Sequence, residues 1–330
     1  MNATAFAPRR GLALRPSALA VPAILAATVL WGVSTAAGKA ALGEWPPLTL
    51  AGFRFAVALA VLVPLVRWTG GRIAFGRQTA LMGLLGIALH YAVHNVGLAA
   101  TSAANASLIL DGGQPALTVL LGALLLGERP RGRASLGLLV SLAGAGAVAL
   151  GAGSGGLGTI GRGDALMLVA AACWALYSVL GRRVIPVAGV LPVVAGATAW
   201  GLLFLSPAIV VELGRGGLPA PTAGGWGLAV FLGVGCSAVT YVLYGHGLAH
   251  LSAWRVASCS TLMPLVGVAT AAVALGEPLV GAQALGGCLV LVGVGLTAFP
   301  AANTTAKPAP AIGSPRRPLH TTGPARDAMA

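Results

Sequence analysis

Pro115-Ala-Leu-Thr-Val-Leu-Leu-Gly-Ala-Leu-Leu-Leu-Gly-Glu128 has an echo later in the same chain, Pro264-Leu-Val-Gly-Val-Ala-Thr-Ala-Ala-Val-Ala-Leu-Gly-Glu277. Both run thirteen positions from a helix-opening proline to a Gly-Glu close, at an offset of 149 residues. Tyr91 with Gly97-Leu98-Ala99 is matched by Tyr241 with Gly247-Leu248-Ala249 at an offset of 150. Trp31 ahead of Gly38-Lys39 is matched by Trp174 ahead of Gly181-Arg182 at an offset of 143. Such spacing is that of a tandem duplication with small insertions.

The solvent follows from composition. Hydrophobic residues make up 57% of the 330-residue chain and charged residues 8%, with a mean hydropathy of +0.89. A soluble fold has too little interior to hide that much apolar surface, so lipid is the partner. The net charge of +13 does not mark a nucleic-acid binder, because the basic residues stand in short clusters between apolar runs.

Ten apolar runs are long enough for helices across about 30 Å of hydrocarbon. They lie near 18–38, 47–66, 79–99, 102–122, 134–151, 163–181, 188–211, 224–246, 253–275 and 281–299. The expected fold is an all-α membrane protein of ten transmembrane helices, five per repeat. Residues 1–17 form an N-terminal tail, 18–151 the first repeat, 152–162 a glycine-rich linker, 163–299 the second repeat and 300–330 a disordered basic tail. Arg9, Arg10 and Arg15 ahead of the first run resemble a signal sequence, but a run long enough to cross, with nine more behind it, reads as an uncleaved helix.

Sixteen Lys and Arg fall on the side of the N-terminus, against Lys39, Arg162 and Arg215 on the other, with Arg54 inside a span. The positive-inside bias therefore places both termini in the cytoplasm of a multi-pass cell-membrane protein. Since five is odd, the second copy enters from the opposite face. Inverted repeats are the common architecture of secondary transporters, which expose one buried site to either side in turn.

Trp31-Gly32-x-Ser34 with Lys39, Arg54-Phe55, Thr101-Ser102-Ala103-Ala104-Asn105-Ala106, the Pro115–Glu128 stretch and the echoes at Pro264, Glu277 and Gly286 resemble the EamA-like family of the drug/metabolite transporter superfamily. The resemblance covers about residues 18–299. It implies a ten-helix carrier of small metabolites or drugs, often working outward, and names no substrate.

Ionisable groups inside hydrocarbon cost about 2.5–3.5 kcal/mol each on insertion scales, so each needs a reason. Ser107, Asp111, Gln114 and Thr118 share one helix face, and Asp111 is a candidate proton carrier or substrate-binding carboxylate. His90 and His94 lie one turn apart, as do Tyr91 and Asn95, and a histidine suits coupling to a proton gradient. Asn105 is a further polar candidate. Arg54 either reaches for the outer interface, pairs with Asp111 or attracts an anionic substrate group such as an amino-acid carboxylate. Trp174, Tyr177 and Tyr241, with Tyr244, are candidates for an aromatic wall. Glu128 and Glu277 read as caps or loop anchors.

The expected function is secondary transport of a small metabolite, an amino acid or a relative of one, outward and with possible proton coupling. Import by the same fold is the alternative. A metalloenzyme built on His90-x-x-x-His94 and His246-x-x-x-His250 has too few histidines among the five present. Cys173, Cys236, Cys259 and Cys288 stand singly, and Gly151-x-Gly153-x-x-Gly156 lacks the βαβ setting of a nucleotide site. No cofactor, metal or nucleic acid is implied, and oligomeric state is left open.

Overall fold

In the computed structural model, residues 19–126, 161–251, 262–278 and 281–298 are described, together with single residues within 132–147 and 256–260. Among them the chain is helical and holds no strand. The helices are α1 (Ala20–Ala41), α2 (Pro47–Trp68), α3 (Arg77–Ala99), α4 (Ala103–Leu125), α5 (Arg162–Ala188), α6 (Val190–Gly216) and α7 (Ala223–His250), all long and apolar enough to cross a membrane. Two shorter ones follow, α8 (Leu262–Leu275) and α9 (Gly281–Ala298). Both tails, the linker near 151–160, Glu128 and most of the run at 134–151 lie outside the described residues. The run expected at 163–181 extends as α5 past Arg182 and Arg183, with Pro186 inside it.

Backbone groups in lipid have no water to bond, which leaves helices as the available form. The helices leave their cores half apolar-exposed: Leu25, Val29, Phe204 and Val230 are among the exposed large side chains, a surface for acyl chains rather than water.

Packing pairs each helix of the first half with helices of the second. α1 lies against α7 and α8, and α5 lies against α3 and α4; α2 packs on α6 and α7, and α3 on α6. Exchanging the halves maps this pattern onto itself, as a two-fold axis between them would. Glycines let the backbones close up. A Cβ on Gly83 would meet the Ala197 carbonyl oxygen of α6 at 2.5 Å, and one on its echo Gly233 would meet the Arg54 carbonyl of α2 at 2.9 Å. Gly97 fits against Met167 of α5, and its echo Gly247 against Ile24 of α1.

The duplication also shows in the irregularities. α3 and α7 each contain a π-helical turn, Leu84–Leu89 and Val234–Val239, at an offset of 150 residues. A third, Ser107–Asp111, lies in α4. Such bulges widen a helix by one residue and leave carbonyls without their usual partners. Here the opposite half supplies donors: Tyr241 Oη donates to the Gly86 carbonyl at 3.1 Å, and Trp31 Nε1 donates to the Cys236 carbonyl at 3.0 Å. Gly86 and Cys236 are equivalent positions of the two turns.

Acidic side chains close the helix starts. Glu277 accepts the backbone N–H of Ala103 and Ala104, both at 2.9 Å. Glu212 accepts those of Leu48 and Thr49, and Glu44 that of Thr222. A carboxylate over free N–H groups at a helix start is favourable for charge and hydrogen bonding together. Lys39 does the converse at the end of α3, donating to the carbonyls of Leu98 and Thr101.

Gly83→Ala is expected to lower thermal stability in detergent by about 1–3 kcal/mol, because its methyl would press on backbone rather than on a movable side chain. Gly113→Ala, with nothing within 4 Å of the added Cβ, is expected to leave it unchanged. Equal melting temperatures for the two would refute the close-packing account.

Candidate functional site

The polar residues converge because two of the π-turns sit directly beside them. His90 follows the turn at Leu84–Leu89, and Asp111 closes the turn at Ser107–Asp111. Each turn shifts the facing of the helix beyond it, away from what an unbroken 3.6-residue period would give. Four residues past Asp111, Pro115 carries no N–H to bond back to the Asp111 carbonyl.

A small cavity of about 30 Å³ lies among these helices. α1 contributes Trp31, Ser34 and Thr35, α2 Arg54, and α3 His90, Tyr91 and His94. α4 contributes Leu110, Asp111 and Gln114, α5 Trp174 and α8 Met263. Of the ten candidates from sequence, Arg54, His90, His94, Asp111, Gln114 and Trp174 share this wall. Asn95, Asn105, Tyr177 and Tyr241 do not line it.

Asn95 stands immediately behind it. Its Nδ2 donates to the Pro47 carbonyl at 2.9 Å, so its Oδ1 is the acceptor for His94 Nδ1–H, also at 2.9 Å. His90 Nδ1–H donates to the Ala170 carbonyl at 2.8 Å. Both imidazoles thus carry the hydrogen on Nδ1 and keep Nε2 as the basic nitrogen. The rings stack with centroids 5.7 Å apart and planes 17° from parallel.

Arg54 is 3% exposed, so it does not reach an interface. Its Nε donates to Ser237 Oγ at 2.9 Å, and its guanidinium carbon lies 4.5 Å from the centre of the Tyr91 ring. Stacking on an aromatic face stabilises the cation electrostatically. One guanidinium nitrogen, Nη2, is buried without a partner, and so is Oδ2 of Asp111. No ion pair joins the two side chains, contrary to one reading of Arg54. Glu44, Glu212 and Glu277 are occupied at helix starts, and Asp164 accepts Thr101 Oγ1 at 2.6 Å. Asp111 is therefore the carboxylate with unused hydrogen-bonding capacity among the described residues.

An aromatic cluster backs the cavity. Trp31 meets Trp174, Tyr244 and Tyr241 edge to face at 4.9, 5.0 and 5.8 Å, and Tyr177 lies against Trp174 at 4.9 Å. Tyr177 and Tyr241, each 1% exposed, hold Trp174 and Trp31 in place. Asn105 belongs elsewhere: its Oδ1 accepts from Gln283 Nε2 at 2.6 Å, tying α4 to α9. His246 and His250 lie with ring centres 4.3 Å apart and planes tilted by 41° near the end of α7, outside the cavity wall. No group of three or more His, Cys, Asp and Glu gathers among the described residues as a metal ion would require.

Sequence reasoning did not select Trp31, Ser34, Thr35 or Tyr91 as site residues. A signal existed for the first three, since 31, 34 and 35 share a helix face one turn long and Trp31 is the echo of Trp174. Ser237, the anchor of Arg54, carried none: its position depends on the π-turn it sits in.

The profile of the EamA-like transporter family matches residues 18–150 and 161–299. The chain belongs to the EamA-like transporter family. It is a multi-pass protein of the cell membrane and a transporter, as the family is. A "Probable amino-acid metabolite efflux pump" of Escherichia coli is 28% identical over 290 residues, covering 83% of this chain and 93% of that one. A "Probable terminal-alkyne amino-acid exporter" of Streptantibioticus cattleyicolor is 29% identical over 278 residues, covering 83% and 92%. A chain of known crystal structure matches in fold with a TM-score of 0.66 at 22% identity, covering 85% of this chain and 96% of its own.

Asp111→Asn is expected to keep or raise the melting temperature in detergent, because the amide keeps the shape of a buried carboxyl whose Oδ2 has no partner and cannot take up its charge. Glu277→Ala, which uncovers the N–H groups of Ala103 and Ala104, is expected to lose about 1–2 kcal/mol. A large loss for Asp111→Asn would mean that the carboxylate is a structural tie.

Proposed function

We propose that this transporter exports amino acids or closely related metabolites, with its cavity opening alternately to the cytoplasm and the outside. The observation that carries the reading is one cavity wall holding a cation and a carboxylate that do not pair with each other. Arg54 offers Nη2 to an anionic group, and Asp111 offers Oδ2 to an ammonium or a proton. A zwitterion such as an amino acid answers both, in a conformation of the carrier in which this space is wider. Polar groups buried in lipid at a cost are offset by a ligand that pairs with them.

His90 and His94 supply two further basic nitrogens next to the same space, and Asn95 fixes the orientation of His94. Together with Asp111 they form the proton-carrying set of a carrier driven by the proton gradient. Outward direction rests on the printed names of the two relatives. The architecture in this proposal is ten helices in two inverted halves, 18–151 and 163–299, with both termini cytoplasmic. The exchangeable packing pattern, the π-turns 150 residues apart and the sixteen-to-three Lys and Arg bias all support it.

The test is transport of a panel of amino acids and derivatives by protein reconstituted in liposomes under an imposed pH gradient. Arg54→Gln and Asp111→Asn are each expected to cut transport by at least about thirtyfold, the scale of losing one buried charged contact. His94→Ala is expected to weaken uptake driven by the gradient while sparing exchange of substrate across equal pH. Wild-type rates for both Arg54→Gln and Asp111→Asn would overturn the site.

A further inference from the structure

A second, smaller cavity of about 10 Å³ lies further along α4, room for about one water. Thr118, Arg182, Tyr244 and Ser260 give it polar walls, with Leu248 and Val256 on its apolar side. Gln114 is the one residue common to this wall and to that of the cavity holding Arg54 and Asp111. We infer that the two cavities are chambers in series along one path, and that the Gln114 side chain is the partition between them. This rests on the transport reading above.

The local chemistry suits a movable partition. The Gln114 backbone carbonyl accepts Thr118 Oγ1 at 2.8 Å, but the side-chain amide bonds to no described residue. An amide carrying two donors and two acceptor lone pairs can re-pair with polar groups on either side as it turns. The backbone around it is weakened in three ways. The π-turn ends at Asp111, Gly112 and Gly113 follow, and Pro115 removes a hydrogen bond. A Cβ on Gly113 would meet nothing within 4 Å, so there is space beside the hinge.

The order of polar groups along the helix face also fits. Asp111, Gln114 and Thr118 are three and four residues apart, one continuous stripe leading from the first chamber to the second. The second chamber lies toward the C-terminal ends of α4, α5 and α7, where Arg182 and Arg183 stand. Under the positive-inside bias that end is cytoplasmic. The second chamber is thus on the cytoplasmic side of the partition, and turning Gln114 aside joins it to the space beside Arg54.

The experiment reads accessibility and needs no substrate, so it can fail or succeed independently of the transport assay. In a background with Cys173, Cys236, Cys259 and Cys288 replaced by Ala, single cysteines are placed by Thr118→Cys and Thr35→Cys. A membrane-impermeant methanethiosulfonate is applied from the cytoplasmic face of inside-out vesicles. Thr118→Cys is expected to react whatever stands at 114. Thr35→Cys is expected to react slowly with Gln114 and about tenfold faster with Gln114→Ala, as for a gate open only a small fraction of the time. Gln114→Asn, one methylene shorter, is expected to fall between, and serves if the alanine variant does not accumulate. A Thr118→Cys that resists the reagent from the cytoplasmic face would overturn the antechamber. A Thr35→Cys rate indifferent to residue 114 would overturn the partition.

Discussion

Every carbonyl and N–H in hydrocarbon has to find a partner inside the protein, and this constraint explains why the two halves cannot be understood separately. The carbonyls of Gly86 and Cys236 lie in the π-turns of α3 and α7. Tyr241 and Trp31, each from the other half, satisfy them. An unpartnered carbonyl at such depth would cost several kcal/mol. These two bonds tie the halves together at the bulges, and the docked halves in turn hold the aromatic cluster that backs the cavity.

The same turns set the chemistry. By widening the helix just before His90 and up to Asp111, they aim those side chains at a common space that a regular helix would miss. The rest of the charge is placed so that it does not intrude. Glu44, Glu212 and Glu277 are consumed at helix starts and Lys39 at a helix end, which leaves Arg54 and Asp111 as the charged groups of the cavity wall. Family membership makes the protein a transporter, and the unpaired charges are where that activity is proposed to reside.

Much of this was legible in the residues. Composition fixed lipid as the solvent, and the Pro115 and Pro264 stretches exposed the duplication. The cost of burying charge picked out Arg54 and Asp111 before any helix was placed. The limits are as instructive. Asn95, Tyr177, Tyr241 and Asn105 were selected by polarity or aromaticity at depth, a criterion that does not distinguish a cavity wall from a supporting layer or a helix tie. Asn95 turned out to orient His94, and Asn105 to bind Gln283. Ser237 was missed because its role depends on a π-turn, whose extra residue leaves no mark in a hydrophobic periodicity, whereas Trp31 could have been found as the echo of Trp174.

The central claim is that two halves of opposite orientation enclose one polar path. Its most direct test is the sidedness of the segment joining them, read by labelling a cysteine placed at Gly156 in intact cells alongside tags on both termini. The account predicts that position 156 is labelled from outside while both termini are reached only after the membrane is opened. Position 156 on the same side as the N-terminus would mean that the halves run parallel, and the account would fail.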